Sequence, residues 1–210
     1  MVTELEEAPE DADGLRMTEA RAALAYFLAW QDVPISWKGT ERKPIREDWH
    51  RCGMRHGLFQ DGSNRHAVHP VNAMLNYAYA SLESQVQIAV VSFGLDPILG
   101  YLHASRWGRF ALVYDLMEPL RPQVDRRVLA FVRDRVFTPS DFVVTSAGVC
   151  RLHPRLARCV ADLTVPNEKV RAVVEKAARQ LSKSVGKSLK RPGSSRESGI
   201  VRRGRPSKHV

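Results

Sequence analysis

The chain has 210 residues, 44% of them apolar and 26% charged, with a formal net charge of +9. That length and apolar content suit one sizeable core, and no run of about 18 uncharged apolar residues could cross a membrane. Cys52, Cys150 and Cys159 are odd in number and lack CxxC spacing, which argues against a disulfide framework or zinc site and for a reduced, cytoplasmic protein.

Residues 1–17 read as an acidic disordered leader, with Glu4, Glu6, Glu7, Glu10, Asp11 and Asp13 among few apolar anchors. A signal peptide is excluded, because no apolar stretch follows a basic start. Thr18 suits a helix cap, its hydroxyl accepting an early backbone N–H. Ala20, Ala23, Leu24, Phe27 and Leu28 then recur at helical spacing, ending near Trp30. Residues 33–69 are irregular and place Arg42, Lys43, Arg46, Arg51, Arg55 and Arg65 among Trp37 and Trp49. A solvated loop with aromatic anchors is preferred there over a surface that tracks DNA phosphates.

The clearest helix covers residues 70–93, with Pro70 at the first position and Gly94 just past the end. Val71, Met74, Leu75, Ala78, Leu82, Val86, Ala89, Val90 and Phe93 give it one buried face. At 1.5 Å per residue it would run ~36 Å. Its other face carries Asn72, Asn76, Tyr79, Glu83 and Gln87, so Glu83 sits mid-helix on a polar stripe. A turn-rich connection through Asp96, Pro97 and Gly100 leads to His103. In the run from Phe110 to Pro119, a strand would point Asp115 and Glu118 to opposite faces, whereas a helix sets both on one face. The helix is the preferred reading, limited by Pro119 and Pro122. Two carboxylates and an imidazole on separate elements suit a hard divalent cation.

Three motifs stand in order: NAMLNYAYASLES, GLDPILGYLH and GRFALVYDLMEPLRP followed by VD. Together they resemble the core of the CRISPR-associated adaptation integrase, the endonuclease-like subunit that captures new spacers and inserts them into the repeat array. The likeness covers about residues 19–163, including EARAALAYF, which is similar to a helix preceding the family's metal core. It implies a mainly helical catalytic domain in which Glu83, His103 and Glu118 bind one Mg²⁺ or Mn²⁺. It also implies that Asp115 is a further acid beside the metal, with Asn76 and Arg109 in supporting roles. The implied partners are double-stranded and branched DNA and a small ferredoxin-like adaptation subunit. Family members pair through an N-terminal β-rich domain. The leader here is too short and acidic to supply one, so the expectation of a homodimer is not carried over.

Beyond this core, residues 124–135 read as an amphipathic helix burying Val124, Val128, Leu129, Phe131 and Val132. Asp125 is read first as a first-turn acid favoured by the helix dipole, and second as a residue of the site. Thr138 and Pro139 mark a helix start, residues 143–152 a small hairpin interrupted by Gly148, and Pro154 a helix to about Leu163. Asn167 caps a helix to about Leu181, so the ordered domain is expected over residues 18–181. Residues 182–210 read as a basic disordered tail with nine Lys and Arg against Glu197, nearly the whole net charge. Arg202, Arg203 and Arg205 lie in it as phosphate contacts. Arg203-Gly-Arg-Pro206 resembles the core of an AT-hook, although generic phosphate contact is preferred.

A cation held by two carboxylates and one imidazole would polarise a phosphodiester, with a DNA 3′-hydroxyl as nucleophile for integration and water for cleavage. Arg106 and Arg109, close to His103 in sequence, are expected to neutralise the reacting phosphate. The alternative is a non-catalytic DNA-binding relative acting through its basic tail. Both readings hold the protein away from membranes.

Overall fold

Most of the helices pack on one long helix. The computed structural model describes residues 12–53, 66–100 and 110–189, and its helices are α1 (Ala12–Leu28), α2 (Pro70–Ser92), α3 (Ala111–Met117), α4 (Arg121–Asp134), α5 (Pro154–Ala161) and α6 (Asn167–Leu189). Four short strands complete it: β1 (Ser36–Trp37), β2 (Val136–Phe137), β3 (Phe142–Val144) and β4 (Cys150–Leu152). The fold is mainly helical, as the sequence implied. No helix among the described residues is long and apolar enough to cross a membrane.

α2 packs against α3, α4, α5, α6 and β4. Met74, Leu75, Ala78, Leu82, Val86 and Val90 are fully buried along it. Each large apolar side chain so buried contributes about 1.5–3 kcal/mol, so this helix anchors the core. The helix is closed at both ends by side-chain and turn chemistry. At its start His69 Nδ1 accepts the Val71 N–H at 3.2 Å, and Pro70, which has no N–H to satisfy, takes the first turn. At its end Leu95 N–H bonds to Val90 O at 3.1 Å and Gly94 N–H to Val91 O at 3.0 Å. This Schellman pattern needs a left-handed residue, and Gly94 supplies it with φ of +70°.

His69 does more than cap. Its ring is 3% exposed, and Nε2 lies 3.1 Å from Asp48 O and 3.0 Å from Arg51 O. With Nδ1 accepting, the hydrogen-bond network assigns the proton to Nε2, which donates to both carbonyls. A Cβ on Gly53 would stand 2.9 Å from the ring, so glycine is required for the chain to pass this closely. The imidazole thus clasps the 47–53 segment to the start of α2.

The irregular segment after α1 is pinned by aromatics. Trp37 stacks on Trp49 at 5.9 Å between centroids, and Phe137 and Phe142 close the cluster. Both indoles donate to backbone oxygens, Trp37 to Trp49 O at 3.0 Å and Trp49 to Val68 O at 3.3 Å. The aromatic anchors expected there are real. β1 also pairs in parallel with β2, joining Ser36 to Val136 and Trp37 to Phe137. The hairpin expected at 143–152 is β3–β4, with Phe142 opposite Leu152 and Gly148 at φ of +75° in the turn.

Several expectations need correction. α1 begins at Ala12 rather than Glu19, so the leader is not irregular up to residue 17. Thr18 does not cap it: its hydroxyl donates to Gly14 O one turn back, at 3.0 Å. The apolar stripe of α1 is only partly covered, for Leu24 and Leu28 are exposed while Phe27 and Trp30 pack inward. α4 starts at Arg121, with Pro122 tolerated because it falls in the first turn. Leu129 and Phe131 are half-buried rather than buried. Thr138 and Asp141 form a reciprocal capping box, but it opens only a 3-10 turn over Pro139–Asp141 before β3 takes over. α6 continues to Leu189, eight residues beyond the expected end. The rest of the proposed tail lies outside the described residues.

Candidate metal-dependent active site

The polar stripe of α2 faces α3 and the start of α4. Glu83 is half-buried on that stripe, and Tyr114 of α3 donates its hydroxyl to Glu83 Oε1 at 3.1 Å. Asp115 and Glu118 are both half-buried, Asp115 within α3 and Glu118 at its C-cap, so the helical reading of this run holds. Glu118 pairs with Arg121 at 3.4 Å, the two side chains being 25% and 35% exposed. Arg121 in turn lies 5.3 Å over the ring of Tyr79, one helical turn before Glu83 on α2. Tyr79 donates a short hydrogen bond to Asp125 of α4.

Two parallel links therefore join α2 to the following helices. One runs from Glu83 to Tyr114, and the other from Tyr79 to both Arg121 and Asp125. Glu118 hangs on the second link through Arg121 and follows Tyr114 by one turn on the first. The sequence separates these carboxylates by 35 positions; the packing of α2 on α3 and α4 ties both into one set of contacts through Tyr114, Tyr79 and Arg121.

Asp125 corrects the favoured sequence reading. It is 4% exposed and takes a tyrosine hydroxyl, so it is no solvated first-turn acid. The early start of α4 moves it into the second turn, on the face that meets α2. Its charge reaches α1 as well: partial burial, then Asp125, push the Tyr26 phenol up to about 12, against the pull of Arg126. Arg121, Tyr114 and Tyr79 were likewise not singled out as site residues. The available signal was positional, since Asp125 shares the three- and four-residue spacing of Val128 and Val132, which marks a buried face.

Not every predicted residue can be placed. His103, Arg106, Arg109, Arg202, Arg203 and Arg205 all lie outside the described residues. Among the described residues no group of three His, Cys, Asp or Glu is gathered tightly enough to hold a metal. The acids that are placed are carboxylates, the donor type that Mg²⁺ and Mn²⁺ prefer, and the expected imidazole would be the third ligand. The donor chemistry fits a hard cation. Burial pushes the thiols of Cys52 and Cys150 up to about 11 and about 12, which makes them poor metal ligands at neutral pH.

Residues 1–163 match the family model described as CRISPR associated protein Cas1. The chain is 38% identical over 152 residues to the CRISPR-associated endonuclease Cas1 of Korarchaeum cryptofilum, covering 71% of this chain and 40% of the relative. It is 36% identical over 144 residues to a CRISPR-associated endonuclease Cas1 of Rhodospirillum rubrum, covering 68% and 37%. The chain thus spans about two fifths of the length of these curated relatives. Its fold resembles a casposase bound to integration product, with TM-score 0.68, 22% identity and coverage of 84% of this chain and 52% of that one. It also resembles a Cas1 protein from Thermotoga maritima, with TM-score 0.59, 19% identity and coverage of 84% and 55%. These last two likenesses concern the fold alone. On the family match and the curated relatives, the chain belongs to the Cas1 family of CRISPR-associated proteins.

Proposed function

We propose that the chain carries the catalytic part of a divalent-metal-dependent DNA endonuclease and integrase that joins 3′-hydroxyl ends of captured DNA to a repeat array. The observation that supports this reading is that Glu83 and Glu118 are each engaged by a side chain of the helices packed on α2, Glu83 by Tyr114 and Glu118 by Arg121. The relatives named as endonucleases support the same reaction class.

Glu83, Glu118 and His103 would hold Mg²⁺ or Mn²⁺, with Asp115 beside them. A cation held there would supply Lewis-acid polarisation of the scissile phosphodiester and charge for the departing oxygen. The protein's own groups prepare that site. Tyr114 fixes the orientation of Glu83 by donating to one oxygen, and Arg121 fixes Glu118 by charge. Asp125 holds the Tyr79 hydroxyl, so the ring on which Arg121 rests cannot turn freely. Arg106 and Arg109 are assigned to the reacting phosphate, and Arg202, Arg203 and Arg205 to flanking backbone phosphates. The partners on this reading are double-stranded and branched DNA and a small ferredoxin-like subunit, in the cytoplasm.

The test is cleavage and strand transfer on branched, repeat-containing DNA with Mg²⁺ or Mn²⁺. Wild type is compared with Glu83→Ala, His103→Ala, Glu118→Ala and a deletion of residues 190–210, which spares α6. Products that need metal and vanish in all three point variants support the proposal. Absence of products from wild type, with DNA binding that disappears on the deletion, would replace it with a basic DNA-binding protein without catalysis.

A further inference from the structure

A second basic feature stands apart from the carboxylates. Lys38, Gly39, Lys43, Thr138, Pro139 and Ser140 line an open groove of about 400 Å³. Its origin is the parallel pairing of β1 with β2, which sends both chains out of the sheet at the same end. The Lys38 N–H continues that pairing by donating to Phe137 O at 2.9 Å. Segments a hundred positions apart in sequence thus become the two walls of one groove.

The groove is positive and hydroxyl-rich. Neither lysine has an ion-pair partner among the described residues, whereas Arg46 of the same segment is taken by Asp48 at 2.9 Å. The nearest acid of the opposite wall, Asp141, is already engaged. It accepts from the Thr138 N–H at 2.8 Å and hydroxyl at 3.0 Å, and it faces Arg135 at 3.6 Å. Thr138 and Ser140 hydroxyls stand 2.9 Å apart. Gly39 has φ of +73°, and a Cβ there would meet nothing within 4 Å, so this wall stays open.

We infer that this groove is a phosphate-backbone subsite for the arm of duplex DNA that runs away from the carboxylate site, with Lys38 and Lys43 as its charge contacts. The inference rests on the DNA reading above and adds a location to it. Arg121 begins α4 and Thr138 follows its end, and the helix of 14 residues spans ~21 Å at 1.5 Å per residue. At about 3.4 Å per base step, that separation corresponds to roughly six base pairs of duplex. A phosphodiester carries one negative charge and oxygen acceptors, which the two ammonium groups match; the Thr138 and Ser140 hydroxyl protons are committed to Asp141 and to Thr138.

The experiment measures DNA affinity of the full chain against salt, using duplexes of about four and about twenty base pairs, which by rise alone fall short of and pass the groove. The variant is Lys38→Ala/Lys43→Ala, and the control, with the same charge loss, is the exposed pair Arg158→Ala/Lys176→Ala on α5 and α6. On the long duplex the groove variant should flatten the log K against log salt slope by about 2, from roughly 0.9 per lost phosphate contact. The short duplex and the control pair should show no such change. Equal slopes for wild type and groove variant on the long duplex would overturn the subsite. So would inorganic phosphate that stabilises wild type but not the groove variant while the DNA slopes stay equal, since the groove would then bind free phosphate. Failure of wild type to bind any duplex would defeat the DNA reading itself.

Discussion

Replacing His69 with alanine tests whether one buried imidazole sets the start of α2. The change removes the side-chain cap on Val71 N–H, worth about 1 kcal/mol, and the donor to Asp48 O and Arg51 O. Two partly buried carbonyls losing a shared donor cost a further 1–3 kcal/mol or so, which brings the total to roughly 3 kcal/mol. For a chain of this size each kcal/mol shifts the melting temperature by about 2–4 °C, so the variant should melt roughly 6–12 °C lower. The same residue predicts a pH dependence. Burial lowers the His69 pKa from the ordinary 6.5, with its carbonyl hydrogen bonds and Asp48 opposing that shift. The unfolded chain then takes up a proton more readily than the folded one. The stabilisation is complete above 6.5 and is lost as pH falls through 6.5 toward the lower folded value. The slope from this group is at most about 1.4 kcal/mol per pH unit. Melting followed by circular dichroism from about pH 8 down to about pH 5 brackets that window. A His69→Ala variant that keeps the wild-type slope below pH ~6.5, or melts at the wild-type temperature, would refute the clasp.

Gly94→Ala places a side chain at φ of +70° where a Cβ meets nothing, so the cost is conformational alone, about 1–2 kcal/mol. Chemical denaturation should show that loss with an unchanged m-value; a neutral result would mean that the Schellman turn does not need a left-handed residue. Tyr114→Phe removes the hydroxyl that orients Glu83, and the concentration of Mg²⁺ or Mn²⁺ for half-maximal cleavage should rise about tenfold or more. An unchanged metal titration would show that Glu83 is held by other contacts. In that experiment maximal turnover at saturating metal should fall less than apparent metal affinity.

The sequence by itself determined the central helix, its burial face, its proline start and its glycine stop, because these are local consequences of 3.6-residue periodicity and backbone geometry. The ordered motifs also determined the family, since residue identity at fixed spacing is a one-dimensional signal. The helical reading of Asp115 and Glu118 belongs to the same class. What the sequence did not determine are relations between segments distant in the chain. The parallel pairing of β1 with β2 involves two residues on each side, too few for any alternation to be seen. His69 reads as a polar residue before a proline, yet folding puts two carbonyls within reach of its far nitrogen. Asp125 lies near the start of its helix in sequence, where acids are ordinarily solvated. Its spacing from Val128 and Val132 marks the buried face, but only packing against α2 gave it Tyr79 as a partner, because side chains on separate helices meet through tertiary contacts that no local pattern encodes.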